Sequence, residues 1–114
     1  EAFPAGELKH GPIALIERDT LVIALATQPA LYEKLASNLK EVKARGARVL
    51  SICPEGADLI IGLSDETILL PKTEDVFMPV LSVIPMQLFA YYCSVERGFD
   101  VDKPRNLAKS VTVE

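Results

Sequence analysis

From Thr20 to Ala26 the chain reads Thr-Leu-Val-Ile-Ala-Leu-Ala, an almost unbroken apolar run rich in branched side chains. Such a run predicts a strand covered on both faces. Thr27-Gln28-Pro29 then opens a helix, with proline in the first turn, where its missing N–H has no helical partner to lose. Leu31, Leu35, Leu39 and Val42 recur at helical spacing and form one core-facing stripe, while Glu33, Lys34, Lys40, Glu41 and Lys43 face water. Gly46 supplies the left-handed cap. Arg48 to Ile52 is the next strand, and a strand–helix–strand unit of this length predicts parallel pairing with a right-handed crossover. Beyond Cys53-Pro54, a loop containing Gly56 and Gly62 leads to a short strand at about Thr67 to Leu70. Thr73 is the predicted N-cap of the last helix, with Glu74 and Asp75 in its first turn.

From Val76 to Val95 the chain carries 20 residues without a formal charge. That length alone would suffice for a membrane span. Pro79, Ser82, Pro85, Gln87 and the Tyr91-Tyr92 pair, following an α/β pattern, predict instead a helix buried all round, kinked at Pro85 and packed in part on material outside this chain. Gly98 ends it. The first sixteen residues are less regular. Pro4, Gly6 and Gly11-Pro12 predict a loop carrying His10, then a short helical turn from about Pro12.

Composition narrows the function classes. With 49% hydrophobic and 25% charged residues, 114 residues make one domain at most, of the soluble globular class. A net charge of -4 and a pI near 5.0, with no basic stripe, argue against a nucleic-acid surface. Cys53 and Cys93 have neither a second cysteine nor a histidine at metal-ligand spacing, so they read as buried free thiols in a reducing cytosol. No metal or cofactor is expected, nor a glycine-rich phosphate loop, because Gly56 and Gly62 lack the spacing and the lysine. The chain opens at Glu1 with no methionine and no signal segment, which suggests a processed piece or part of something longer.

Candidate chemistry begins with the single histidine. In Gly6-Glu7-Leu8-Lys9-His10-Gly11-Pro12, a helical segment would put Glu7, three residues before His10, on the same face, within reach of one ring nitrogen. The second block is the closing run Asp102-Lys103-Pro104-Arg105-Asn106-Leu107-Ala108-Lys109-Ser110-Val111-Thr112-Val113-Glu114, which has no helical period and alternates like a strand only from Ser110.

These two blocks, at the separation found here, resemble the glucosamine-6-phosphate synthases, the glutamine:fructose-6-phosphate amidotransferases. The resemblance covers all 114 residues but only a fraction of that family's chain, which also carries a glutaminase domain and two sugar isomerase (SIS) subdomains. It implies an α/β fold, a three-layer α/β/α SIS-type, flavodoxin-like parallel sheet that is incomplete here. Residues 1–103 would be the C-terminal part of the second SIS subdomain and residues 104–114 a C-terminal active-site tail.

By the same resemblance, His10 opens the sugar ring, one imidazole taking the anomeric proton and returning one to the ring oxygen. It does so in the neighbouring subunit's site, which implies a homodimer. Lys109 matches the lysine that forms an imine at C2 of the ketose or holds the open chain. The Ala108 carbonyl matches a sugar contact, and Arg105 and Asn106 match positions that fix the tail over the site. The carboxylate that moves the proton between C1 and C2 lies, in the family, just upstream of Glu1, and the hydroxyl groups that hold the sugar phosphate belong to the other subdomain. The loops after Thr27 and Pro54 are therefore assigned no site, and the 114 residues alone are expected to be inactive. The implied parent reaction converts fructose 6-phosphate and glutamine into glucosamine 6-phosphate and glutamate, in the cytoplasm, with no nucleic-acid or membrane partner. An alternative from a different class is a sugar-phosphate-sensing SIS module of a regulator, binding without turnover. Those modules lack the Leu107-to-Glu114 ending.

Overall fold

The computed structural model describes residues 1–103. They fall into two compact units, Glu1–Ser82 and the residues from Val83 onward. The first unit holds a three-stranded parallel sheet in the order β1-β2-β3, formed by β1 (Leu21–Leu25), β2 (Arg48–Pro54) and β3 (Glu66–Leu70). Its register pairs Ile23 with Leu50, and Ile52 with Ile68.

The helix between the first two strands starts as a 3-10 turn at Pro29–Leu31 and becomes α1 over Tyr32–Ala44. It ends as the glycine predicts. Gly46 has φ 89°, its N–H donates to the Lys43 carbonyl, and the Ala47 N–H reaches back to the Val42 carbonyl. Those two bonds satisfy carbonyls that the end of a helix would otherwise leave unpaired. The predicted stripe is buried at Leu39 and Val42, half-buried at Leu35 and exposed at Leu31.

The core lies between α1 and one sheet face. Ala24, Val49 and Cys53 from the strands meet Ala36, Leu39 and Val42 from α1. A second short helix, α2 (Asp58–Ile61), falls within the predicted glycine-containing loop and seats the fully buried Ile60 in the same cluster. The sequence pattern does not reveal α2, because four residues carry too little period to register.

Burial along β1 departs from the expectation of a strand covered on both faces. Ala24 is buried, but Leu21 and Leu25 are 50% and 49% exposed. They share the sheet face away from α1 with Ile68, which is also exposed. Position in the sheet accounts for it: β1 is an edge strand, whereas the central β2 is buried from Ser51 to Cys53.

Asp65 ties the ends of these elements together. Its carboxylate accepts a 2.8 Å bond from the Lys43 ammonium and a 2.7 Å bond from the Val49 N–H, while its own N–H donates to the Val49 carbonyl. The bond from Lys43, then that from Val49, hold the Asp65 carboxyl below its ordinary range. A carboxyl with a lowered folded-state pKa binds its proton more readily in the unfolded chain, so its contribution is complete above the ordinary carboxylate range and lost as pH falls through the lowered value. Chemical denaturation of the natural protein at descending acid pH is expected to show a loss of midpoint that Asp65→Asn no longer shows. An unchanged pH profile in the variant would remove Asp65 as the cause.

Met78–Glu96 forms α3, continuous through Pro85 and preceded by a 3-10 turn at Asp75–Phe77. Glu74 occupies the position before that turn, with no side-chain capping bond, so Thr73 is not the cap. Nor is the helix buried all round. Only Met78 and Ser82 are buried, and Val80, Ile84, Leu88 and Tyr92 are all exposed. By length and composition alone α3 could cross a membrane. The expected packing on material outside this chain is not decided by this chain alone, because an apolar sequence reports a preference for leaving water but not what covers it. Gly98, at φ 71°, closes the helix as expected, with the Phe99 N–H donating to the Ser94 carbonyl.

Candidate functional site

His10 is the last residue of a 3-10 helix, Ala5–His10, rather than part of an irregular loop. Three residues per turn eclipse every third side chain. Leu8 turns inward and packs against the core, so Glu7 and His10 share another face and both are exposed. The structure thus puts Glu7 and His10 on one face, although no hydrogen bond joins them among the described residues.

Three features hold this segment. Leu8 and, beyond the turn, Ile13 and Ile16 anchor it to the core. Lys9 Nζ lies 2.8 Å from Glu41 Oε1 on α1. Gly11 separates the two 3-10 helices at φ 145°, a conformation that a side chain resists, although a Cβ there would meet nothing within 4 Å. Its backbone freedom, not its small volume, lets the chain turn into Pro12–Leu15. The outcome is an imidazole at the exposed end of an anchored turn, with no partner of its own among the described side chains.

Two cavities open at the C-terminal ends of the strands, where ligands of parallel sheets collect. The first, about 400 Å³, lies beside the segment that leads to His10. Pro4, Ala5 and Gly6 line it on one side, Thr27 and Gln28 at the end of β1, and Lys34 and Asn38 on α1. The second, about 300 Å³, is reached by all three strand ends through Thr27, Pro54 and Lys72. The sequence assigns these loops no site, and only the position of Thr27 and Pro54 at strand ends signals them.

Tyr32 lines the second cavity and its hydroxyl donates to the Ala26 carbonyl at 3.4 Å. Burial, then the neighbouring Cys53 and Asp75, push the phenol above its ordinary range, so it remains a neutral hydroxyl. Cys53 is fully buried, and burial also raises its thiol pKa, which keeps it protonated and inert. Cys93, expected to be buried as well, is exposed. Among the described residues no group of three or more His, Cys, Asp or Glu side chains could hold a metal ion. Arg105, Asn106, Ala108 and Lys109 lie outside the described residues.

Comparison with known proteins gives one answer at three levels. The family model described as the SIS domain matches residues 1–97. The glutamine–fructose-6-phosphate aminotransferase (isomerizing) of Clostridium tetani is 60% identical over all 114 residues, and that of Thermus thermophilus is 54% identical over the same length. In each case the chain spans 19% of the relative's length. Among solved structures, the C-terminal domain of the glucosamine-fructose-6-phosphate aminotransferase from Francisella tularensis superposes with a TM-score of 0.83 at 36% identity, covering 91% of this chain and 30% of that one.

Proposed function

The chain belongs to the SIS domain family and corresponds to the C-terminal SIS region of the glutamine–fructose-6-phosphate aminotransferases, and from that premise we propose that it serves the isomerising half of such an enzyme. The reaction takes fructose 6-phosphate and glutamine to glucosamine 6-phosphate and glutamate. The observation that carries the reading is the identity of 60% across the full 114 residues, which include both the His10 segment and the closing run with Lys109. The regulatory alternative is not favoured, because relatives matched over the whole chain are aminotransferases.

In this reading His10 opens the sugar ring, removing the anomeric hydroxyl proton and protonating the ring oxygen. Its exposure at the end of an anchored turn suits a residue that works on a molecule held by another surface. Lys109 then forms the imine at C2 or holds the open chain, the Ala108 carbonyl contacts the sugar, and Arg105 with Asn106 fixes the tail. The enzyme is a cytoplasmic homodimer in which His10 of one subunit completes the site that contains Lys109 of the other.

A mixing experiment tests that sharing. Full-length His10→Ala and Lys109→Ala proteins are each expected to lack synthase activity. Denatured and refolded together, they are expected to recover roughly a quarter of natural activity, because one of the two sites in each mixed dimer is intact and subunits reassort at random. Absence of recovery, with dimers demonstrably formed, would show that His10 and Lys109 act within one subunit or not at all.

A further inference from the structure

The second cavity has a composition that the proposed synthase chemistry does not use. It gathers Thr27 from the end of β1, Glu55 from the end of β2, Lys72 and Thr73 from the end of β3, Asp75 from the turn before α3, and Tyr32 from α1. Opposite charges line a single cavity, yet Lys72 is in no ion pair within 4.0 Å among the described residues, with either Glu55 or Asp75. Nor do the side chains of Thr27, Thr73, Glu55, Lys72 or Asp75 hydrogen-bond any other described residue. These five polar residues thus line one cavity open to solvent, with Glu55, Lys72, Thr73 and Asp75 exposed and uncommitted to one another.

Local backbone sets where two of these groups stand. Gly56, at φ 83°, turns the chain after β2, and Lys72 Nζ stands 3.4 Å from where a Cβ on Gly56 would lie, so the ammonium rests over bare backbone. Asp75 is held in the turn that starts α3, where the Phe77 N–H bonds the Glu74 carbonyl. The lining also includes the apolar Pro29, Pro54 and the buried Met78. Hydroxyl, carboxylate and ammonium groups gathered with apolar side chains around one cavity match a molecule with many hydroxyls and a C–H face. Hydroxyls donate to carboxylates and accept from ammonium, so they can bridge opposite charges that are too far apart to pair. Two carboxylates against one ammonium, with a phenol kept neutral, disfavour a phosphate and favour a ligand that is neutral or carries an ammonium.

We propose that this cavity is a binding site for a small polyol without phosphate, with an amino polyol preferred, its ammonium on the Glu55 and Asp75 side and its hydroxyls on Lys72, Thr27 and Thr73. The site shares no residue with the roles assigned to His10 and Lys109, so it stands whether or not the synthase reading does.

Met78 provides a local reporter, since it lines the cavity and is 2% exposed. With methionine methyls carbon-13-labelled in the full-length protein, and the Met78 signal assigned from Met78→Leu, glucosamine is expected to shift that signal saturably with a Kd on the order of 1–10 mM. Glucose should bind several-fold more weakly, and glucosamine 6-phosphate should shift the signal less than glucosamine at equal concentration. Asp75→Asn should abolish the preference for glucosamine over glucose while leaving the unliganded Met78 shift in place, and His10→Ala should change nothing. A Met78 signal that does not move with glucosamine overturns the proposal. So does an equal or larger response to glucosamine 6-phosphate, or a preference for the amino compound that survives in Asp75→Asn.

Discussion

Replacing His10 with alanine in the full-length protein is expected to lower the rate of glucosamine 6-phosphate formation by about 10²–10⁴-fold, the range in which a positioned acid–base group contributes. The expectation starts from the fold. Leu8 packs into the core, Lys9 is held by Glu41, and the turn at Gly11 leaves the intervening imidazole exposed. Because none of these anchors involves the ring of His10, its removal should leave the turn standing and take away only proton transfer. Two controls separate chemistry from structure. Glutamine hydrolysis, which the proposed function places in a separate domain of the full-length enzyme, should persist, and the thermal midpoint should be unchanged, since an exposed side chain contributes little to stability. A loss of less than about tenfold would remove His10 from the acid–base role.

Replacing Ile60 with alanine is expected to cost about 2–5 kcal/mol of unfolding free energy, the range for deleting a buried branched chain and leaving a cavity. Ile60 is fully buried and belongs to the cluster formed by α1 and one face of the sheet. Little can move into the space it leaves. Its helix, α2, is four residues long and is pinned by bonds from the Ile60 and Ile61 N–H groups to the Ala57 carbonyl. The Ser64 hydroxyl lies 2.6 Å from the Ser51 hydroxyl and 2.8 Å from the Ile60 carbonyl, which ties the end of α2 to β2. Denaturant unfolding followed by circular dichroism measures the loss. A change of less than about 1 kcal/mol would mean that α2 collapses onto the sheet, and that its role in the core is smaller than its burial implies.

These two residues illustrate unequal legibility. His10 stands out in the sequence because it is the only histidine and sits within a distinctive block, although its immediate structure, a 3-10 helix instead of a loop, does not. Ile60 is invisible there: within Asp58-Leu59-Ile60-Ile61 nothing distinguishes the buried side chain from Leu59, which is 38% exposed. The cavity at the strand ends is legible only as a location. Tyr32, Lys72 and Asp75 converge there from distant or separate elements of the chain, because three parallel strands end on the same edge.

What the sequence by itself determined was local and periodic: the two left-handed glycine caps at Gly46 and Gly98, the three strands within a few residues of their bounds, and the α1 stripe at Leu39 and Val42. Each follows from short-range sterics or from a repeat that a few neighbouring residues specify. Tertiary structure alone decided what covers each apolar surface. The run Thr20 to Ala26 predicts cover on both faces, yet β1 leaves Leu21 and Leu25 half-open, and of the run Val76 to Val95, expected to pack in part on material outside this chain, only Met78 and Ser82 are buried within it. The physical reason is that hydrophobicity sets how strongly a surface avoids water, whereas its burial depends on which other elements are present to pack against it.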